Sequence, residues 1–366
     1  MNIAIASTMS SHPVPGEISR SGLDMREVRT LVTTSGRDLA TLSGASILIT
    51  GATGWFGVWL MDALCSADDL LQLGMRITAV SRNPDRFNER FPRFAGDPRI
   101  SWVKADVRNL EPVRQGFSHV IHAAADNSVG SDPDAQRRLF EAIVEGTRRT
   151  LAASGAACRS FLFLSSGAVY GPARKGRERF EEGTADDGHQ PPPTGAYAQA
   201  KRAAEQLCGA AAAAGLPVRI ARCFAFVGPH MPLDKHFAIG NFIADAVNGR
   251  EICIKGDGRA VRSYMYMTDL VQALLSIMLN GEVGRPYNVG SDVMVTIEQL
   301  ARCVKRVVGG GAVTVMGAPS DPNDRYVPDT TRLRTELGCV PLVSLEDAIA
   351  RTAAWYRAQI NHSVPS

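Results

Sequence analysis

A doubly wound, parallel α/β fold is what the sequence predicts, on three observations. Strand and helix patterns alternate from Ser46 to Cys223, the first strand runs straight into a glycine-rich turn, and the alternation breaks down after Gly228-Pro229. The 366 residues leave room for one large α/β domain and a smaller one. Ser46–Thr50 is apolar enough to be buried on both faces, and Gly51-Ala52-Thr53-Gly54-Trp55-Phe56-Gly57 follows at once, leading into a helix over 58–65. Strands are expected at 76–80, 101–104 and His119–His122, then a helix at 136–154, a strand at 160–164, a helix at 198–214 and a strand at 217–223. Shorter elements follow: a helix at 237–247, a strand at 252–255, and a helix at 269–279 and strand at Pro286–Val289 that read as returning to the first sheet. The expected division is an N-terminal extension over 1–44, a sheet domain over 45–227 with 265–290 returning to it, and a discontinuous second domain over 228–264 and 291–366. Within the extension, residues 1 to about 22 read as mobile, and Leu23, Val28, Leu31, Val32, Leu39 and Leu42 read as short helices packing on the main body. The stretches 171–195 and 309–311 read as loops, the first long enough to form a lid.

Composition narrows the class. Hydrophobic residues at 45% and charged residues at 21% exclude a wholly disordered or collagen-like chain. Forty basic against 37 acidic residues leave a charge of +3 and no basic stripe, which argues against a nucleic-acid partner. No apolar run is long enough to cross a bilayer, and the first residues lack the basic start and apolar middle of a signal peptide, so no membrane association is expected. The seven cysteines are odd in number and scattered, without the close pairs of a structural zinc site or a disulfide framework. A reducing, cytoplasmic location and no metal are expected.

Three motifs point to chemistry. Gly51, Gly54 and Gly57 lie between a buried strand and a helix, where glycine lets the backbone approach a pyrophosphate and the helix N-terminus offers free N–H groups. Alone this is equally a tight turn; in its β-α context it indicates a dinucleotide. Tyr197 and Lys201 place a phenol and an ammonium on one helical face, and a neighbouring cation favours phenolate. Such a pair is usually a solvated helix face. The strand Phe163-Leu164-Ser165-Ser166 ends in two hydroxyls at the C-terminal rim of a parallel sheet, where active sites gather, although a serine there is more often a turn or cap.

With these residues together, the chain over about 45–355 resembles the extended short-chain dehydrogenase/reductase family, the NAD-dependent epimerases, dehydratases, decarboxylases and ketoreductases of nucleotide sugars. Ala105-Asp106-Val107, His122-Ala123-Ala124-Ala125, Arg262 to Leu270, Tyr287-Asn288-Val289-Gly290 and Arg325-Tyr326-Val327-Pro328-Asp329 extend the match. The resemblance implies a Rossmann-like domain that holds NAD or NADP with Gly51, Thr53, Gly54, Trp55, Phe56, Gly57, Ser81, Arg82, Asp106, Val107, Ala123, Ala124, Ala125, Tyr197 and Lys201. It implies catalysis by Ser166, Tyr197 and Lys201, and a nucleotide-sugar diphosphate met by Asn241, Arg262 and Arg325, with surface ion pairing the plainer reading of the arginines and helix capping that of Asn241. It also implies a homodimer pairing the helices at 136–154 and 198–214. His122 reads as a packed core residue.

Departures from the family pattern narrow the reaction. Dehydratases follow the Ser166 position with an acidic pair, and decarboxylases keep a glutamate at the second place; here these are Gly167 and Ala168. Of the remaining acids, Glu181, Glu182, Asp186 and Asp187 lie in the expected lid. The usual Asn-x-Tyr-Gly-Pro segment reads Ala225-Phe226-Val227-Gly228-Pro229, and Ile143 replaces a common asparagine. After the second strand the chain reads Val80-Ser81-Arg82-Asn83, with a cation in place of the acid that holds an NAD ribose, which tips the expectation toward NADP. The leading expectation is reduction of a nucleotide-activated keto sugar. The alternatives are a 4-epimerase with tightly held NAD and a noncatalytic dinucleotide-binding module.

Overall fold

The computed structural model describes residues 18–19, 21–111, 116–125, 132–173, 176–185, 195–233, 237–318 and 324–363. Strands β1 (Ser46–Thr50), β2 (Arg76–Ser81), β3 (Ile100–Lys104), β4 (His119–His122), β5 (Ser160–Ser166) and β6 (Val218–Cys223) join Pro286–Val289 in one sheet. All its pairings are parallel, in the spatial order β3, β2, β1, β4, β5, β6, Pro286–Val289. The order reverses between β1 and β4, which opens a crevice beyond the C-terminal ends of those two strands.

The helices are α1 (Met25–Leu39), α2 (Trp55–Leu71), α3 (Pro84–Arg90), α4 (Pro92–Ala95), α5 (Pro133–Ala153), α6 (Ala196–Ala213), α7 (Ala238–Val247), α8 (Met267–Asn280), α9 (Ile297–Val308), α10 (Thr331–Leu337) and α11 (Leu345–Ser363). Alternation along β1 explains the layers, because successive side chains face opposite sides. Leu48 joins Val120, Phe161, Phe163, Ala200 and Ala204 in the core beneath α5 and α6. Ile47 and Ile49 join Leu60, Leu64, Leu270 and Leu274 in the core beneath α2 and α8. Beyond the sheet, α7, α9 and α11 pack together. A small ribbon pairs Val261–Arg262 with Val295–Thr296 on one side and Arg325–Tyr326 on the other.

The N-terminal extension is part of this core. Leu23, Val28, Leu31, Val32, Leu39 and Leu42 are buried in the α2/α8 layer, with α1 packed on both helices. The expected mobility up to about residue 22 is corrected for the described residues there, since Ser19 and Ser21 are buried. Their hydroxyls both donate to the buried Asp62 carboxylate of α2, and the Ser21 N–H donates at 3.1 Å. A buried carboxylate stripped of its donors is costly, about 1.5–3 kcal/mol per charged hydrogen bond. Deleting residues 1–22 is therefore expected to lower Tm by about 5 °C or more in a thermal melt; an unchanged Tm would show that Asp62 is satisfied without the strap.

Candidate active site

Three glycines shape the crevice, each differently. Gly51 has φ 75°, and a Cβ there would stand 2.7 Å from the backbone of Ala123 and Ala124, so only glycine lets the turns after β1 and β4 meet. At Gly57 a Cβ would fall 2.2 Å from the Gly51 carbonyl oxygen, which fixes α2 against the turn. Gly54 is exposed and serves as the N-cap of α2, with no side-chain capping bond. An open glycine face and an uncapped 17-residue helix fit an anionic pyrophosphate. Trp55 and Phe56 are the first helical residues: the Trp55 indole donates to the Pro229 carbonyl at 2.8 Å, and the Phe56 ring meets Phe226 edge-on.

The edge toward β2 carries the groups expected near an adenosine ribose. The hydroxyls of Thr53 and Ser81 lie 3.3 Å apart, and Ser81 also accepts the Asn83 N–H. Arg82 is exposed just past β2. Asp106 is engaged by a two-pronged pair with Arg108, which together with Arg82 holds its carboxyl below the usual range. Arg108 is a cation that sequence reasoning passed over. Val107 presses on Gly146 of α5, where a Cβ would meet its methyl at 2.8 Å. Ala123 and Ala124 are half-buried and Ala125 is exposed at the end of β4.

The catalytic candidates converge at the end of β5. Ser166 is its last residue, and its Oγ accepts the Ala168 N–H at 3.2 Å. Lys201, one turn after Tyr197 on α6, is buried; its Nζ donates to the Leu164 carbonyl at 2.7 Å and stands 6.0 Å from the centre of the Tyr197 ring. Burial pushes the ammonium down to about 8, so it is cationic below that pH. Glu205, the next turn of the same helix, accepts from Ser165 at 2.5 Å and pairs with buried Arg222, which also reaches the Tyr170 hydroxyl and the Glu182 carbonyl. Tyr170 in turn donates to Asn288 at 2.7 Å. This network braces the strand end from behind.

Gly167, directly after Ser166, is one of the two positions expected to carry acid in an eliminating enzyme. A Cβ on it would stand 2.7 Å from both the Phe224 ring and the Tyr326 hydroxyl. Phe224 and Tyr326 pack with ring centres 4.7 Å apart, and burial pushes the Tyr326 phenol up. Sequence reasoning quoted Tyr326 in a motif and gave it no role. Of the expected lid, 174–175 and 186–194 lie outside the described residues, and the candidates Asp186 and Asp187 fall in the second of these stretches. Glu182 is not a lid residue: it is buried and accepts the Asn288 N–H at 3.0 Å.

The outlying candidates are placed less tightly. Asn241 is the fourth residue of α7, whose N-cap is Phe237, so capping by Asn241 is excluded. Arg262 pairs with the half-exposed Asp324 at 2.9 Å. Arg325 directs Nη1 toward Met294 Sδ and has no carboxylate partner among the described residues. Both arginines lie on the small ribbon. His122 is buried, with its ring nitrogens 2.6 Å from the Thr50 hydroxyl and 3.0 Å from that of Thr147, and burial holds it at about 3. Among the described residues no group of three His, Cys, Asp or Glu side chains is placed to hold a metal, and no helix is long and apolar enough to cross a membrane.

The model of the NAD dependent epimerase/dehydratase family matches residues 47–290. The chain belongs to that family. UDP-glucuronic acid decarboxylase 1 of Xenopus tropicalis is 30% identical over 323 residues, spanning 86% of this chain and 73% of the relative. The dTDP-glucose 4,6-dehydratase of Streptomyces griseus is 28% identical over 319 residues, 85% of this chain and 93% of the relative. Among solved structures, UDP-glucose 4-epimerase from Thermotoga maritima shares the fold with a TM-score of 0.72 at 24% identity, over 86% of this chain and 99% of that one. The dTDP-glucose 4,6-dehydratase DesIV from Streptomyces venezuelae, solved with NAD and TYD, gives 0.72 and 24% over 87% and 98%. The two sequence relatives are named for decarboxylation and dehydration, while this chain carries Gly167 and Ala168 directly after Ser166.

Proposed function

We propose that this protein reduces a nucleotide-activated keto sugar with a dinucleotide, preferring NADP(H). The observation that carries the reading is the site's composition: a serine, tyrosine and lysine for hydride and proton transfer, beside Gly167, where a Cβ would crowd Phe224 and Tyr326, and Ala168 in place of eliminating acids. The dinucleotide, when bound against Gly51, Gly54 and Gly57 along Ala123 to Ala125, supplies the hydride. Ser166 donates to the carbonyl oxygen, and Tyr197 gives its phenolic proton to that oxygen as negative charge develops there. Lys201 stabilises the resulting phenolate by its charge. Arg262 and Arg325 meet the diphosphate with Asn241 nearby, so the substrate lies between the sheet's C-terminal edge and the unit built from 228–264 and 291–366. α5 and α6, packed side by side, are the proposed face of a homodimer.

Arg82 and Arg108 beside Asp106, with no acid at the end of β2, support the NADP(H) preference. Arg82→Ala is expected to weaken NADPH by about 1.5–3 kcal/mol, roughly 10- to 150-fold, and NADH little. Equal weakening of both in a fluorescence titration would show that Arg82 does not read a 2′-phosphate. The reading as a whole is tested by denaturing the purified protein, identifying any released nucleotide, and assaying NADPH oxidation with dTDP- and UDP-linked 4-keto sugars. Turnover with an exchangeable cofactor supports the reductase; retained NAD with interconversion of 4-epimers and no net oxidation replaces it with the epimerase.

A further inference from the structure

We propose that Trp55 is a positioning residue for the dinucleotide: its indole ties the first turn of α2 to the Pro229 carbonyl, which a left-handed His230 keeps turned toward it. The proposal rests on reading Gly51, Gly54 and Gly57 as the seat of a pyrophosphate. The first bond of the α2 ladder runs from the Val58 N–H to the Gly54 carbonyl at 2.9 Å. The N–H groups of Trp55, Phe56 and Gly57 lie ahead of it, where an anion would take them. The glycines shape that turn but offer no side chain to hold it. Trp55 does: its Nε1–H donates to the Pro229 carbonyl at 2.8 Å, and one turn on, the buried Trp59 donates to the same oxygen at 3.1 Å. Both lone pairs of that oxygen are then used.

The carbonyl stands there because of the turn it belongs to. The Met231 N–H donates to the Gly228 carbonyl at 3.3 Å, closing a four-residue turn over 228–231. Pro229 takes its second place with a ring-fixed negative φ, and His230 its third with φ 64°. Negative then positive φ is the type II turn, whose third place normally goes to glycine or asparagine. A type I turn over the same residues would rotate the central peptide by roughly 150° and take the carbonyl away from both indoles. Left-handed backbone disfavours a residue with a Cβ, and contacts from three segments hold His230 in it. Its Nε2–H donates to the Ser21 carbonyl at 3.0 Å, and its ring meets Trp355 and Phe91 edge-on at 4.5 and 5.2 Å. The N-terminal strap thus reaches the dinucleotide seat through one backbone carbonyl.

The test titrates NADPH and NADH into full-length protein, read by the nucleotide's own fluorescence. Wild type, Trp55→Phe, His230→Ala and His230→Gly are compared at a temperature where thermal melts show all four folded. Trp55→Phe keeps a ring and loses the N–H. It is expected to weaken both nucleotides by the same factor, roughly 3- to 10-fold, the worth of one hydrogen bond acting on a group they share. His230→Ala and His230→Gly lose the same ring and the same bond to Ser21, but only glycine takes the left-handed region freely. The alanine protein is therefore expected to weaken both nucleotides at least as much as Trp55→Phe, and the glycine protein to stay within about 2-fold of wild type. A role in packing alone would move the two histidine variants together. Unchanged affinity in Trp55→Phe, a loss confined to NADPH, or His230→Ala and His230→Gly binding alike would each overturn the role given to Trp55 and leave the pyrophosphate reading standing. Failure of wild type to bind either nucleotide overturns that reading, and the proposal with it.

Discussion

Tyr197→Phe is expected to lower turnover of the proposed keto sugar by roughly 100- to 10,000-fold, while the dinucleotide still binds. The change removes one oxygen and the only proton that the site is arranged to transfer. Lys201 keeps its bond to the Leu164 carbonyl, Ser166 keeps its place at the end of β5, and Gly51, Gly54 and Gly57 are untouched at the other end of the crevice. The cofactor is therefore expected to bind within about 10-fold of wild type, since at most one ordinary hydrogen bond is lost. Single-turnover kinetics with NADPH separate the chemical step from binding. A variant that keeps more than about a tenth of the wild-type rate would exclude general acid catalysis by Tyr197 and move the proton to another group.

The sheet was legible because its central strands are buried and rich in apolar residues between helical patterns; Ser46–Thr50, His119–His122 and Pro286–Val289 stand where the alternation predicts. Helix starts were less legible. The helix expected over 58–65 begins at Trp55, because its N-cap is the exposed Gly54, with no capping side chain to announce it. α9 was not read at all, although Thr296 and Gln299 form a capping box ahead of buried Leu300, Ala301, Val304 and Val308. That signal was available. The strap was not, since Ser19 and Ser21 have no periodicity and their partner Asp62 looks like an ordinary polar residue inside a helix. At the site, each local motif was readable as spacing: the glycines, the Ser166 strand end and the Tyr197/Lys201 pair. The contacts among Gly167, Phe224 and Tyr326 join segments far apart in sequence, and only packing reveals them.

Those contacts carry the other large expectation: the protein does not convert dTDP-glucose or UDP-glucose to the 4-keto-6-deoxy sugar. Elimination requires a base for the C5 proton and an acid for the departing C6 hydroxyl, each worth about 100- to 10,000-fold, so a site that offers neither among the described residues is expected to fall below any useful rate. Gly167 and Ala168 supply no acid, Glu182 is buried against the Asn288 backbone, and Glu181 is exposed on the adjoining turn. Restoring the acids is expected to fail as well. In Gly167→Asp/Ala168→Glu the new Cβ at position 167 meets the Phe224 ring and the Tyr326 hydroxyl at 2.7 Å, an overpacking that costs about 1–3 kcal/mol and pushes the aromatic pair aside. Adding Phe224→Ala opens one side of that contact, so the triple variant is expected to recover part of the lost stability before it gains any elimination activity. Mass spectrometry of sugar-nucleotide incubations and thermal melts of the three proteins check this. Multiple turnovers by the wild type would place the acid and base on other residues, and a double variant as stable as wild type would show that the aromatic pair yields readily to a side chain at 167.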